Sequence, residues 1–162
     1  MTELATRVHL LLRASGATVS TAESLTGGRL AAVFTDTPGA SETYRGGVVT
    51  YATELKTSLL DVDESIVEEH GVGSPECAKA MASGIRARAG TTYGVSTTGV
   101  AGPTEQEGKP VGTVFVGVAG PGLVEAVALE LGGKRDQIQD ATVREALAAF
   151  EDVLRREESP LG

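Results

Sequence analysis

Hydrophobic and polar residues alternate along this chain with two spacings, one typical of amphipathic helices and the other typical of strands. Residues 2–14 predict an amphipathic helix that is capped by Thr2 and ends near Gly16, with His9 on its polar side. Its apolar face is formed by Leu4, Val8, Leu11 and Leu12. A short β-branched run at residues 17–19 then predicts the first strand.

The rest of the chain repeats this alternation. Further helices are predicted over residues 29–34, 53–60, 63–69, 74–89 and 136–156, and further strands over 44–51, 92–98, 114–119 and 123–131. Strand–helix–strand units favour parallel pairing, whereas Pro121 and Gly122 form a hairpin turn that makes the last two strands antiparallel. The pattern predicts an α/β fold with a mixed, mostly parallel central sheet. Since no repeat or linker interrupts it, residues 1–162 are expected to form one domain.

Individual residues also predict where two of the helices begin and which side chains of one helix face inward. Ser74 followed by Pro75 is a strong start signal for a helix, and Thr53 is expected to cap another. In the helix that Thr53 starts, Leu55 and Leu59 are expected to face inward.

Two segments depart from regular patterning. Gly46 and Gly47 lie inside a predicted strand, which indicates a bulge or the close approach of another backbone. The polar and acidic residues 104–108 predict a mobile surface loop.

Composition narrows the class of protein. The net charge of −8 argues against a non-specific nucleic-acid binder, because such proteins depend on lysine and arginine contacts with phosphates. One cysteine and two histidines exclude a disulfide framework and make a zinc site improbable, so no metal is expected. No apolar run approaches the roughly twenty residues that cross a bilayer, and no secretory signal pattern opens the chain, so no membrane association and a cytoplasmic location are expected.

Residues 20–28 carry the first candidate chemistry. They follow the first predicted strand and precede a helix, so Ser24 has the position of an N-cap, and Gly27 and Gly28 would let a ligand approach the backbone. Capping is the commonest role of such a serine. The same cluster of hydroxyls and free N–H groups could instead hold an oxyanion or a phosphate.

Three such turns follow predicted strands, at residues 24–28, 51–56 and 97–102. In open α/β sheets ligands bind outside strand ends, so these turns are expected to converge on one pocket. A serine nucleophile needs a base, and neither His9 nor His70 is placed beside a strand end.

Lys56 is the preferred base, since it lies one turn inside a helix that directly follows Tyr51. A lysine accepts a proton only when neutral, so burial against neighbouring leucines would have to lower its pKa. Tyr51 could pass the proton or hold Lys56 through a hydrogen bond from its phenol. The alternatives are a solvated lysine, a core tyrosine and, for residues 97–99, a simple strand-end turn rather than an oxyanion site.

Four motifs then resemble one family: residues 22–28 (Ala-Glu-Ser-Leu-Thr-Gly-Gly), 44–51 (Tyr-Arg-Gly-Gly-Val-Val-Thr-Tyr), 98–103 (Thr-Gly-Val-Ala-Gly-Pro) and 109–114 (Lys-Pro-Val-Gly-Thr-Val). Together they resemble the CinA carboxy-terminal domain family of competence/damage-inducible proteins, whose enzymatic members are nicotinamide mononucleotide deamidases. The resemblance implies a three-layer α/β/α domain and hydrolysis of a carboxamide to the acid and ammonia, without metal or other cofactor. It also suggests a homodimer and, from the position of the first helix, a stand-alone form.

The resemblance assigns roles to individual residues. It implies that Ser24 is the nucleophile, Lys56 the base and Tyr51 an assisting group, and it makes Arg135 the expected partner of the substrate phosphate. The expected substrate-binding set is Thr26, Gly27, Gly28, Gly46, Thr98, Gly99 and Arg135.

Two features keep other functions open. Many relatives have cysteine where this chain has Leu25, and residues 104–108 are more acidic than the glycine-rich loop typical of the family. The alternatives are a non-catalytic nucleotide-binding or competence-associated interaction module and a hydrolase for a different amide.

Overall fold

The structure is a computed structural model that describes residues 1–158; the last four residues of the predicted domain, 159–162, lie outside the described part. The helices are α1 (Thr2–Ser15), α2 (Arg29–Asp36), α3 (Thr53–Leu60), α4 (Glu64–His70), α5 (Pro75–Ala89) and α6 (Arg135–Glu158), with a short 3-10 helix at Ala40–Glu42. The strands are β1 (Val19–Glu23), β2 (Tyr44–Val49), β3 (Tyr93–Gly99), β4 (Thr113–Gly120) and β5 (Leu123–Glu130). The predicted order of helices and strands is confirmed, although β1 spans Val19–Glu23 and shares only Val19 with the strand predicted at residues 17–19.

Within residues 1–158 the strands form one five-stranded sheet in the order β2-β1-β3-β4-β5. The β1–β2 and β1–β3 pairs are parallel, and the β3–β4 and β4–β5 pairs are antiparallel, so only β4 runs against the other strands. Pro121 and Gly122 make the predicted hairpin turn between β4 and β5. The mixed sheet is confirmed.

Helices cover both faces of the sheet, which gives the expected three layers. On one face α1, α2 and α6 pack over a core that includes Leu12, Leu30, Leu147 and Phe150. On the other face α5 packs along the sheet, with α3 and α4 beside it. A second core on this face includes Leu60, Met81 and Ile85. Each fully buried large aliphatic or aromatic side chain contributes roughly 1.5–3 kcal/mol to folding, so the two cores hold the helices against the sheet.

The glycine pair in β2 coincides with an irregularity in the pairing. Val19 pairs with Tyr44 and Ser20 with Gly46, so the register shifts by one residue there. A Cβ on Gly47 would lie 2.2 Å from Thr21 Oγ1, which only glycine avoids. The predicted bulge and close approach are both confirmed.

Two expected helix ends are confirmed and two are wrong. Gly16 ends α1 in the left-handed conformation, and the Ser74 hydroxyl accepts a hydrogen bond from the N–H of Cys77 at the start of α5. Thr2 and Thr53 are not caps, because each already lies inside the first turn of its helix, after Met1 and Ala52.

The predicted orientations of two side chains, His9 and Leu55, are also wrong. His9 is buried rather than polar-facing, since its Nδ1 lies 2.8 Å from the hydroxyl of Thr43, in the segment that enters β2. In α3 Leu59 is partly buried against the core, as predicted, but Leu55 is 37% exposed, and Lys56 and Leu60 take the fully buried positions. The helix is rotated so that a lysine, not that leucine, faces the interior.

Candidate active site

The turn that carries Ser24 joins the end of β1 to α2. Ser24 is not the N-cap of α2, as its position in the sequence had suggested; Gly28 occupies that position with a φ of 101°, a left-handed conformation suited to glycine. The hydroxyl of Ser24 is therefore not used to cap the helix, which leaves it available for chemistry.

Glu23 caps the helix instead. Its buried carboxylate accepts hydrogen bonds from the N–H groups of Gly28, Leu30 and Ala31, at 3.2, 2.9 and 3.1 Å, and from the Thr26 hydroxyl at 2.6 Å. A carboxylate at this helix end also complements the helix dipole. The sequence analysis did not predict this role of Glu23, for which the available signal was an acidic residue directly before Ser24 and a few residues before the helix.

A chain of hydroxyls holds the nucleophile turn against β3. The N–H of Ser24 donates to Thr97 Oγ1 at 3.3 Å, and the Thr97 hydroxyl lies 2.8 Å from that of Thr26. Because the Thr26 hydroxyl donates to Glu23, the Thr97 hydroxyl is left to donate to Thr26. Gln139 of α6 adds a hydrogen bond to the carbonyl of Leu25 at 2.9 Å, a contact that nothing in the sequence indicated.

Lys56 lies beside the nucleophile. Its Nζ is 3.0 Å from Ser24 Oγ, 2.6 Å from the carbonyl oxygen of Thr50 and 3.5 Å from that of Tyr51. The side chain is only 1% exposed. Within residues 1–158 it is the lysine that lies within hydrogen-bond distance of this serine.

Burial lowers the pKa of Lys56 below its ordinary value of 10.5, because the ammonium has lost its hydration. The nearby groups Cys77, Glu107 and Glu54 act in the opposite direction but are the weaker influences. Burial also raises the pKa of the Cys77 thiol to about 11, so Cys77 exerts this influence only at high pH, where its thiolate forms, and is neutral at neutral pH. The lysine is thus an amine that releases its proton more easily than a solvated one.

Tyr51 follows β2 and is 61% exposed, so it is not a core residue. Its hydroxyl accepts a hydrogen bond from the guanidinium of Arg135 at 2.9 Å. The same guanidinium donates to the carbonyl of Gly102. The expected hydrogen bond between the phenol and Lys56 is therefore replaced by a contact through the backbone carbonyl of Tyr51.

The three strand-end turns surround one cavity of about 180 Å³. Its lining includes six of the residues singled out in the sequence: Ser24, Tyr51, Lys56, Thr98, Gly99 and Arg135. Thr98 is held by a hydrogen bond from its hydroxyl to the carbonyl of Val72 at 2.7 Å. The cavity thus joins a serine, a buried lysine and a guanidinium.

Four residues of the expected substrate-binding set do not line this cavity: Thr26, Gly27, Gly28 and Gly46. The hydroxyl of Thr26 is used by Glu23 and Thr97, while Gly27 and Gly28 shape the turn with positive φ angles. Gly46 lies at the β2 bulge and pairs with Ser20, four residues before Ser24. These four residues shape the backbone near the site and do not form the wall of the cavity.

The loop 104–108 is not the free segment that its polarity suggested. Glu107 accepts hydrogen bonds from the N–H groups of Val72 and Gly73, at 3.0 and 3.1 Å. Thr104 and Gln106 line the cavity. The loop is tied to the body of the protein and forms one wall of the site.

Residues 1–158 contain no group of three or more histidine, cysteine, aspartate or glutamate side chains arranged to hold a metal ion. In the same part of the chain, no helix has both the length and the apolar character that crossing a membrane requires.

Comparison with known proteins gives one consistent result. The family model described as CinA C-terminal domain matches residues 1–154. A CinA-like protein of Frankia casuarinae is 50% identical over 146 residues, covering 90% of this chain and 33% of the relative. A putative competence-damage inducible protein of Caldanaerobacter subterraneus subsp. tengcongensis is 48% identical over 147 residues, covering 90% of this chain and 35% of the relative.

The chain thus spans about a third of the length of these two relatives. A solved structure matches more completely: a CinA superfamily protein from Klebsiella pneumoniae superposes with a TM-score of 0.93 at 35% identity, covering 96% of this chain and 98% of that one.

Proposed function

The chain belongs to the CinA C-terminal domain family, and on that premise we propose that it hydrolyses the carboxamide of nicotinamide mononucleotide to the carboxylate and ammonia, a reaction of pyridine-nucleotide recycling. The observation that carries this proposal is the 3.0 Å separation between Lys56 Nζ and Ser24 Oγ inside a cavity. A nucleophile and a base within hydrogen-bond reach are the minimum that serine amide hydrolysis needs.

The three oxygen neighbours of Lys56 can accept from the three N–H donors of an ammonium, and they also accommodate the neutral amine that the reaction requires. A neutral amine has two N–H donors and one lone pair. The two donors match the carbonyl oxygens of Thr50 and Tyr51, which leaves the lone pair for the hydroxyl of Ser24. Burial supports the same state, because it lowers the pKa of the ammonium.

In the proposed reaction Lys56 takes the proton of Ser24 as the serine oxygen attacks the carboxamide carbon. The resulting ammonium gives that proton to the amide nitrogen, the C–N bond breaks, and ammonia leaves an acyl-serine. Water then attacks the ester, its proton passes to Lys56 and on to Ser24, and the free acid departs. The lysine is therefore regenerated in each cycle.

Backbone N–H groups at the end of β3, around Thr98 and Gly99, are proposed to stabilise the oxyanion that forms on the carboxamide oxygen. Tyr51 is proposed to assist proton transfer to the leaving group, since its phenol lines the same cavity and is oriented by Arg135.

The proposed mode of binding follows from size and charge. A cavity of about 180 Å³ is smaller than the roughly 300–1,000 Å³ usual for whole ligands, so it suits the pyridine carboxamide, with the ribose phosphate outside. Arg135 is the first residue of α6, a helix end where the dipole disfavours a cation. A guanidinium kept there supports a role in binding the substrate phosphate.

Ammonia release from nicotinamide mononucleotide tests the proposal. A chelator is present to inactivate any contaminating metalloenzyme. We expect turnover by the wild type, loss of at least about a thousandfold in Ser24→Ala, and wild-type rates in Ser58→Ala, which removes an exposed serine from α3.

Nucleotide binding without turnover would instead favour the non-catalytic binding module. Turnover of another amide, but not of this nucleotide, would keep the serine–lysine chemistry and reject the substrate.

A further inference from the structure

The loop 104–108 ends in a tight two-residue turn. Gln106 and Lys109 exchange backbone hydrogen bonds, at 3.3 and 2.8 Å, across Glu107 and Gly108. Both central residues have positive φ angles, 53° and 71°, which is the pattern of a type I′ turn. Asparagine, aspartate or glycine normally occupies the first central position, because other side chains are strained there.

Glu107 has contacts that offset this strain. Each of its carboxylate oxygens accepts one backbone N–H, from Val72 and from Gly73, in the segment between α4 and α5. A shorter aspartate or asparagine, although better suited to the turn, would not reach both donors. The unusual residue is explained by the length of its side chain.

Lys109, on the other side of the turn, binds the same segment through its positively charged ammonium. Its ammonium donates to the carbonyl oxygens of His70 and Gly73. We call these contacts of Glu107 and Lys109 with residues 70–73 the clasp. In it the carboxylate takes backbone donors and the ammonium takes backbone acceptors of one short segment.

The opposing backbone is shaped to receive the carboxylate. A Cβ on Gly71 would lie 2.7–2.8 Å from the carboxylate atoms of Glu107, and its φ of 80° also favours glycine. Any larger residue at position 71 would push Glu107 away. The close fit on both sides distinguishes the clasp from a chance surface contact.

The clasp adjoins the cavity on two sides. On the loop side, Thr104 and Gln106 line the cavity. On the other side, Val72 lines it too, and its carbonyl oxygen accepts the hydroxyl hydrogen bond of Thr98. Ser24 and Lys56 make no hydrogen bond to the clasp within residues 1–158. Release of the clasp would therefore move the wall of the cavity without moving the nucleophile and base.

We infer that Glu107 is a positioning residue for substrate binding. Through the clasp it holds Thr104 and Gln106 in the wall of the cavity, against the pyridine carboxamide of the substrate. This inference rests on the proposed amidase function. Its signature is a higher KM with little change in kcat, because the wall binds the substrate while the Ser24–Lys56 pair performs the chemistry.

The test compares three variants with the wild type on nicotinamide mononucleotide. Glu107→Gln removes one acceptor oxygen and places an NH2 group against a backbone N–H. It also removes a charge that raises the pKa of Lys56, so the assay is run at a pH above that pKa, where the base is neutral with or without the charge. There we expect KM to rise about 5- to 20-fold and kcat to stay within about twofold. Gly71→Ala keeps the charge of Glu107 but displaces its carboxylate, and should raise KM similarly. Glu105→Gln, the matched control, makes the same charge change at an exposed loop residue that does not line the cavity, and should behave as the wild type.

Hydrogen exchange of the Val72 and Gly73 amides supplies a readout that needs no turnover. We expect faster exchange in Glu107→Gln than in Glu105→Gln. A KM in Glu107→Gln equal to that of the control would overturn the inference while the proposed function stands. If the wild type releases no ammonia, the proposed function fails and the role in substrate binding with it; equal exchange in the two variants would then reject the clasp as well.

Discussion

Lys56 Nζ lies 3.0 Å from Ser24 Oγ, although the two residues are 32 positions apart in the sequence. The contact exists because the end of β1 and the start of α3 meet at the same edge of the sheet, next to the end of β3. The lysine is buried and the serine hydroxyl is not used as a helix cap, so both groups are available for proton transfer.

The rate should depend on pH through Lys56. The base must be neutral, so kcat/KM should be high above the pKa of Lys56 and fall as the pH decreases through it. Because burial lowers this pKa below 10.5, the fall should occur at a pH below that of an ordinary lysine. A pH–rate profile of the wild type checks this, with Lys79→Met, at an exposed lysine of α5, as the matched control. A profile that rises only near pH 10.5 would contradict a tuned lysine.

Lys56→Met should be inactive but more stable than the wild type at neutral pH. The unfolded state binds the lysine proton more tightly than the folded state, so burial of Lys56 destabilises the protein fully below its folded-state pKa, and this penalty disappears as the pH rises towards 10.5. We expect a gain of about 1 kcal/mol or more in the free energy of unfolding at pH 7, shrinking at higher pH. Urea unfolding at several pH values measures it; a gain that grows with pH would reverse the sign and reject the argument.

Glu23→Gln should loosen the nucleophile turn. The buried carboxylate accepts four hydrogen bonds, and an amide would offer one oxygen and turn its NH2 group towards N–H donors. We expect a loss of about 3 kcal/mol in the free energy of unfolding, together with a lower kcat. Glu64→Gln, at an exposed glutamate in the first turn of α4, should cost less than about 1 kcal/mol. Equal losses in the two variants would show that the Glu23 contacts are unimportant.

Arg135→Met should weaken binding of the phosphate-bearing substrate selectively. We expect KM for nicotinamide mononucleotide to rise about 10- to 100-fold, since a charge-assisted contact is worth about 1.5–3 kcal/mol. KM for the corresponding nucleoside, which lacks the phosphate, should change much less. Arg144→Met, at an exposed arginine of α6, serves as the control. An equal rise for both substrates would assign Arg135 a structural role through Tyr51 and Gly102 instead.

Local patterns in the sequence determined much of the fold. Period-2 and helical spacings located the strands and helices, Gly16 and Ser74 marked helix ends, and the paired glycines 46 and 47 indicated a bulge. These features depend on neighbouring residues along the chain, whose backbone conformations and hydrogen bonds are set locally. The three strand-end turns were also predictable, because parallel strands that point one way bring their ends together.

The tertiary structure alone decided which side chains face the site. Helical spacing suggested that Leu55 faces inward, yet Lys56 is buried there because its amino group contacts Ser24 and two carbonyl oxygens in the folded protein. His9 is buried for the same kind of reason, through Thr43. Gln139 reaches Leu25 across 114 positions, a distance at which no local pattern carries information. Polar groups buried by long-range hydrogen bonds thus override the hydrophobic pattern, and at this site they supply the base and the supports of the nucleophile.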